Sequence, residues 1–140
     1  MEYKKINETY FIKINKDEEV ITSLTKLCEE ENIKLASISG IGAAKEVQIG
    51  LYDVLNKEYH SKVFNGMFEI TSLLGTLTEK DNKPYFHLHI NFADETYQTL
   101  GGHLNKCVIG ATCEIILIKS EGKVERKFDE EIGLNVFSLN

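Results

Sequence analysis

The sequence predicts an α+β domain in which a mostly antiparallel sheet packs against one long N-terminal helix. Two observations lead to this fold class. A single apolar stripe with helical spacing follows Asn15, and from Ile33 onward apolar and polar residues alternate with the period of two that is typical of strands. The chain has 140 residues, the length of one ordinary domain, so residues 1–140 are expected to form a single unit.

The helix is expected to begin at Asn15. Glu18 follows three positions later, which is the spacing of a capping box with Asn in place of Ser or Thr. Asn32 is the expected end. The apolar stripe between them comprises Val20, Ile21, Leu24, Leu27 and Cys28. A helix with one such stripe should lie across one face of the sheet.

Strands are expected on both sides of this helix, joined by turns rich in Asx, Gly and Pro residues. The turn Asp81–Pro84 is the clearest of these, and Asp94–Leu100 should form a short helix or a loop. The expected strands are Thr9–Ile14, Lys34–Ile41, Glu46–Tyr52, Glu58–Phe64, Glu69–Thr78, Tyr85–Phe92, Cys107–Lys119 and Val124–Asp129.

The glycine-containing segment Ser39–Ala43 invites a nucleotide-binding interpretation. The third glycine of the dinucleotide fingerprint is absent, and a strand rather than a helix follows. A bend or bulge between two strands is therefore the expected structure.

Composition and charge narrow the classes of function. Hydrophobic residues make up 42% and charged residues 27% of the chain, as in globular proteins. The net charge of −6 opposes non-specific attraction to nucleic acid or anionic lipid, and Arg126 is the only arginine. No apolar run approaches the roughly 18 residues of a membrane span. We therefore expect a cytoplasmic protein without membrane association.

The three cysteines do not form an evident metal or disulfide motif. Their number is odd and no Cys-x-x-Cys pair occurs. Cys107 and Cys113 lie six residues apart in an expected strand, which separates them by about 20 Å, too far for a disulfide or a shared ion. Reduced, partly buried thiols are expected.

The histidines are the most informative residues. In the expected strand Tyr85–Phe92, His87 and His89 share one face, with their bases about 6–7 Å apart. His103 follows Gly101–Gly102, which we interpret as a turn that carries a ligand. Three neutral imidazoles with one open position are typical of a reactive zinc site, although another divalent transition metal is possible. The alternative is that the histidines merely cover a polar face of the sheet.

Polar residues elsewhere in the chain could support such a site. Glu69, Asn91 and Glu114 could accept the second N–H of a metal-bound imidazole. Glu69 or Glu114 could also have a catalytic role as a general base. For Glu114, the only charge in Cys107–Ile118, an exposed sheet position is the competing interpretation.

Four motifs and one glutamate occur in a distinctive order: Ser39–Ala43, Gly66–Ile70, His87–His89, Gly101–Leu104, and Glu114 within Thr112–Glu114. Together they resemble the plants-and-prokaryotes-conserved (PPC) domain family, and their order and spacing agree with that family from about Tyr10 to Leu117. The resemblance implies an α+β fold with an antiparallel sheet, homotrimers in bacterial and archaeal members, and a metal, zinc above all, bound by His87, His89 and His103.

The resemblance also suggests DNA as a partner, because plant members join this domain to an AT-hook and prokaryotic relatives share the label of candidate DNA-binding proteins. This chain has no AT-hook, and Met67 stands where the plant Gly-Arg-Phe-Glu-Ile run has arginine. Three functions therefore stay open: a small-molecule enzyme or sensor that uses the metal, a trimeric DNA-regulatory or interaction module, and an oligomeric scaffold.

Overall fold

A computed structural model describes residues 1–139, which contain eight strands and one helix. The elements in chain order are β1 (Glu2–Ile6), β2 (Thr9–Asn15), α1 (Val20–Glu30), β3 (Ala36–Asp53), β4 (Glu58–Lys80), β5 (Lys83–Ala93), β6 (Thr99–Lys119), β7 (Glu125–Asp129) and β8 (Leu134–Ser138). Strands account for 69% of the residues and helix for 8%.

The predicted α+β class with a long N-terminal helix is wrong, because the protein is mostly β and α1 has only 11 residues. The apolar stripe was identified correctly, but Asn15 ends β2 instead of starting the helix. Glu19 is the cap, and its carboxylate accepts hydrogen bonds from the backbone N–H groups of Ile21 and Thr22 at 3.1 and 2.7 Å. No helix among residues 1–139 is both long and apolar enough to cross a bilayer.

The strands are longer than predicted because β-bulges absorb the expected breaks. The segments Lys34–Ile41 and Glu46–Tyr52 join in the single strand β3, with register shifts at Gly40/Gly42 and Ala44/Glu46. A bulge places an extra residue in one strand and bends it without ending the pairing. The expected bulge near Ser39–Ala43 is confirmed, whereas the expected division into two strands is wrong.

The sheet closes partly on itself. Its strands follow the order β1-β2-β6-β3-β4-β7-β8, and β5 pairs with both β4 and β6. Strands β3, β4, β5 and β6 therefore form a small barrel, in which all four pairings are antiparallel. Helix α1 packs against the β5–β6 side and completes the core, whose largest buried side chains include Tyr10, Phe92, Leu24, Leu27, Leu73, Leu88, Ile90, Ile109 and Ile115.

Candidate metal centre

Closure of the barrel between β5 and β6 brings the three predicted histidines together. His89 lies directly opposite His103 in the β5–β6 ladder, and His87 precedes His89 by two residues on the same face. Their ring centroids are 5.3 to 5.6 Å apart. One nitrogen of each ring lies within 4.8 Å of the others. The side chains thus converge on one point.

This donor set fits a divalent transition metal. In a tetrahedral zinc site, bonds of 2.0–2.1 Å place the ligand nitrogens about 3.3 Å apart, so small side-chain movements would close the cluster around an ion. Burial lowers the pKa of His87 and of His103, and neighbouring positive groups add to both shifts. Both shifts therefore favour the neutral form of the ring, which is the form that binds metals.

His103 comes from within a strand, so the predicted turn at Gly101–Gly102 is wrong. Both glycines belong to β6, opposite β5. A Cβ at Gly101 would overlap the side-chain oxygen of Asn91, and one at Gly102 would lie 2.9 Å from the carbonyl oxygen of Gly50. The glycines permit the close approach of strands at the point where the barrel closes.

Tyr59 forms one wall of the histidine cluster, a role that the sequence did not suggest. Its ring crosses the strand β3 at Gly50, where a Cβ would overlap the hydroxyl group. The hydroxyl donates a 2.7 Å hydrogen bond to Oδ1 of Asn105, and the ring stands edge-on to His103 with centroids 6.3 Å apart. Only the pairing of β4, β3 and β6 brings these residues together.

Arg126 flanks the cluster on another side and was also missed as a site residue. Its guanidinium carbon lies 4.7 Å from the ring centroid of Tyr85, which precedes His87 by two residues on the same strand face. Nε donates to Oγ1 of Thr78 at 3.0 Å, and Nη1 donates to the carbonyl oxygen of Asn135 at 3.1 Å. Its positive charge contributes to the lowered pKa of His87.

The predicted supporting residues lie away from the histidines. Glu69 pairs with Ala93 at the C-terminal end of β5, which is roughly 13 Å along that strand from His89. Glu114 lies in β6, eleven residues beyond His103, and is not part of the ligand cluster. Asn91 donates instead to Oγ of Ser72 at 2.9 Å. Within residues 1–139, the ligand cluster contains histidines alone.

The fold and site define a partly closed β-barrel domain with a three-histidine cluster at its seam. The family model of the Plants and Prokaryotes Conserved (PCC) domain matches residues 1–121 of the chain. The chain therefore belongs to this family, and the resemblance seen in its motifs is confirmed. A search of curated proteins found no match.

Three solved structures resemble the chain over nearly its whole length. A candidate DNA-binding protein from Bacteroides thetaiotaomicron has a TM-score of 0.95 and 31% identity, covering 98% of this chain and 96% of its own. A metal-containing protein from Archaeoglobus fulgidus has a TM-score of 0.87 and 31% identity, with coverage of 98% and 96%. A plant- and prokaryote-conserved protein from Pyrococcus horikoshii has a TM-score of 0.86 and 29% identity, with coverage of 98% and 93%.

Proposed function

We propose that His87, His89 and His103 bind a divalent transition metal, zinc in the first instance, and that a small molecule is sensed or transformed at its open position. The observation that carries this proposal is the convergence of three imidazole nitrogens within 4.8 Å. The similarity to an archaeal protein described as metal-containing supports it. Imidazole ligands suit zinc and also copper, iron and nickel.

Three protein ligands leave a fourth position free for a small molecule. When bound, the ion would supply a Lewis acid that polarises a substrate oxygen or acidifies water. The chain itself would hold the imidazoles on paired strands and limit access with Tyr59 on one side. Glu69 and Glu114, the predicted bases, are not among the groups that converge on the position of the ion within one chain.

The direct test is a crystal structure of protein reconstituted with zinc, with anomalous scattering measured on both sides of the zinc absorption edge. We expect one ion bound by Nδ1 or Nε2 atoms of His87, His89 and His103, with a remaining position held by solvent or a small molecule. A fourth protein ligand within the same chain would favour a structural role, because closed four-ligand sites are typical of structural zinc. Absence of an anomalous peak would contradict the proposal.

We also propose that the protein is a homotrimer. The sheet face that carries His89 also exposes a band of apolar side chains around a groove of about 730 Å³. The groove is lined by Phe11, Ile41, Leu74 and Ile116, which are 42–58% exposed. Contiguous exposed apolar residues favour burial against another subunit.

Light scattering after size exclusion should give three times the chain mass of 15.9 kDa, whereas the mass of one chain at micromolar concentration would contradict the trimer.

DNA binding is the second candidate function, because two similar structures are described as candidate DNA-binding proteins. The net charge of −6 opposes it. We expect no submicromolar binding to an AT-rich duplex at about 150 mM salt, measured by fluorescence anisotropy. Tight binding that weakens steeply with added salt would instead favour the DNA-regulatory function, since that slope reports phosphate contacts.

A further inference from the structure

One positive group beside the histidine cluster, Arg126, lacks a charged partner among the described residues. None of the ion pairs formed among residues 1–139 includes Arg126. Its Nη2 atom is buried and has no hydrogen-bond partner within these residues. Glu79 and Glu125, which pair with each other between β4 and β7, bind Lys34 and Lys123 instead. A partly buried arginine without a counterion is uncommon, because a buried charge is costly unless it is paired.

The β7–β8 hairpin holds Arg126 beside the cluster. At its base, the backbone N–H of Glu79 donates to the carbonyl oxygen of Val124 at 3.0 Å. At its tip, Nζ of Lys57 donates to the carbonyl oxygen of Glu130 at 2.7 Å. The tip also packs near Tyr52, since a Cβ at Gly133 would overlap the hydroxyl of that residue. The hairpin is thus anchored at two separate places and lies outside the residues 1–121 matched by the family model.

Arg126 retains donors for a ligand. The guanidinium group has five N–H bonds, and the structure uses one on Nε and one on Nη1. Three N–H bonds remain, one on Nη1 and two on Nη2. Two of them lie along the outer edge of the group and can donate parallel hydrogen bonds to a carboxylate. Because the hairpin is anchored at its base and tip, a ligand oxygen would reach the buried Nη2 through a movement of the Arg126 side chain and not of the hairpin.

We propose that the histidine site takes a small organic carboxylate, with one end at the metal and the carboxylate group directed toward Arg126. This inference rests on the proposed metal site and names the chemical class of its ligand. The proposed metal ion and the guanidinium of Arg126, on the same side of the barrel, would together attract an anion. The planar guanidinium edge matches a planar carboxylate in particular. Arg126 then determines specificity, whereas the three histidines hold the ion.

The test is isothermal titration calorimetry with malonate, succinate and inorganic phosphate, on zinc-loaded and metal-free full-length protein. Cobalt-substituted protein gives a second readout, because its visible absorption changes when an oxygen ligand enters the coordination sphere. We expect at least one dicarboxylate to bind the loaded protein more tightly than phosphate does. Arg126→Gln should weaken that binding by roughly 10- to 100-fold, as expected for the loss of hydrogen bonds between charged groups.

Two further variants separate ligand binding from a structural role of the hairpin. Arg126→Lys keeps the charge without the fork and should bind with intermediate affinity. Lys127→Gln is the matched control, because it removes the same charge from the next residue, whose side chain lies on the other hairpin face; its affinity should stay within about twofold. Zinc content should be equal in all of them, which separates the role of Arg126 from that of the metal ligands.

The possible outcomes distinguish this inference from the proposed function. Protein that holds zinc but binds no carboxylate, or binds it equally well in Arg126→Gln, would overturn the inference and leave the metal site intact. Tighter binding of phosphate than of either dicarboxylate would overturn the ligand class. If the protein takes up no zinc, the metal function and this inference both fail, even if a dicarboxylate binds through Arg126.

Discussion

The protein contains two sets of three potential metal ligands, and burial affects them in opposite ways. The three cysteines lie in the core, with exposures of at most 1%, and burial raises the pKa of each thiol to about 12. The histidines lie at the barrel seam, where partial burial lowers the pKa of His87 and His103. In both sets burial favours the neutral side chain.

The chemical consequences differ because the ligating forms differ. A thiol binds metal as the charged thiolate, so burial makes the cysteines inert. An imidazole binds as the neutral ring, so burial makes the histidines available. The expectation of reduced, buried thiols agrees with the three free cysteines of the structure. The same desolvation therefore leaves the cysteines as inert core residues and the histidines as candidate metal ligands.

The largest expected effect follows from removing the histidines. In the triple variant His87→Ala, His89→Ala and His103→Ala, zinc retained after loading and desalting should fall from about one equivalent to a background level. Elemental analysis measures this content. His60→Ala is the matched control, because His60 is exposed and lies outside the cluster. Equal zinc in the triple variant and the wild type would contradict the assignment.

Lowering the pH should release the metal. The pKa of His87 and of His103 lies below the ordinary value of 6.5, so the neutral form predominates in both rings at pH 6.5 and protonation becomes dominant only at lower pH. Zinc affinity should thus hold near neutral pH and fall as the pH drops through the lowered pKa range. The metal-free protein should also lose stability there, because the unfolded chain binds these protons more readily. Competition with a chromophoric chelator and urea melts across pH 4.5–7.5 check both effects; affinity that is constant over this range would argue against histidine ligands.

A core thiol should matter for stability and not for metal. Cys113→Ser buries a hydroxyl among apolar side chains and should lower the free energy of unfolding by about 1–3 kcal/mol. Urea denaturation measures this change, and zinc content should remain that of the wild type. Cys113→Ala serves as the control without a hydroxyl and is expected to retain zinc equally. If Cys113→Ser lost zinc while its fold stayed intact, the conclusion that only the histidines bind the metal would be wrong.

The smallest effect is expected from removing the ion itself. The barrel and α1 share a continuous apolar core that does not depend on the histidines, so the metal-free protein should remain folded. Its far-UV circular dichroism should match that of the zinc-loaded protein, and its melting temperature should decrease modestly, as loss of a native-state ligand requires. Unfolding upon chelation would identify the metal as structural and would contradict a reactive site.

Local patterns predicted much of the site but less of the architecture. The alternation around His87 and His89 correctly placed both on one strand face, because side-chain direction in a strand depends only on the period of two. The same patterns assigned His103 to a turn, since two glycines resemble a turn in the absence of their neighbours. The start of the helix was predicted too early for a similar reason. Asn15 matches the capping pattern, but in the structure it pairs with Thr112 in the β2–β6 ladder.

The sequence by itself determined the family, the apolar stripe of α1 and the histidine pair, because each depends on residue type and short spacing. Tertiary structure alone decided that β5 closes onto β6, that Glu69 and Glu114 lie away from the histidines, and that Tyr59 and Arg126 flank them. His89 and His103 are 14 positions apart, Tyr85 and Arg126 are 41 apart, and Tyr59 and His103 are 44 apart, so their geometry follows from strand pairing and bulges. No local pattern encodes a pairing between distant strands, since its free energy comes from the shared core that both strands bury.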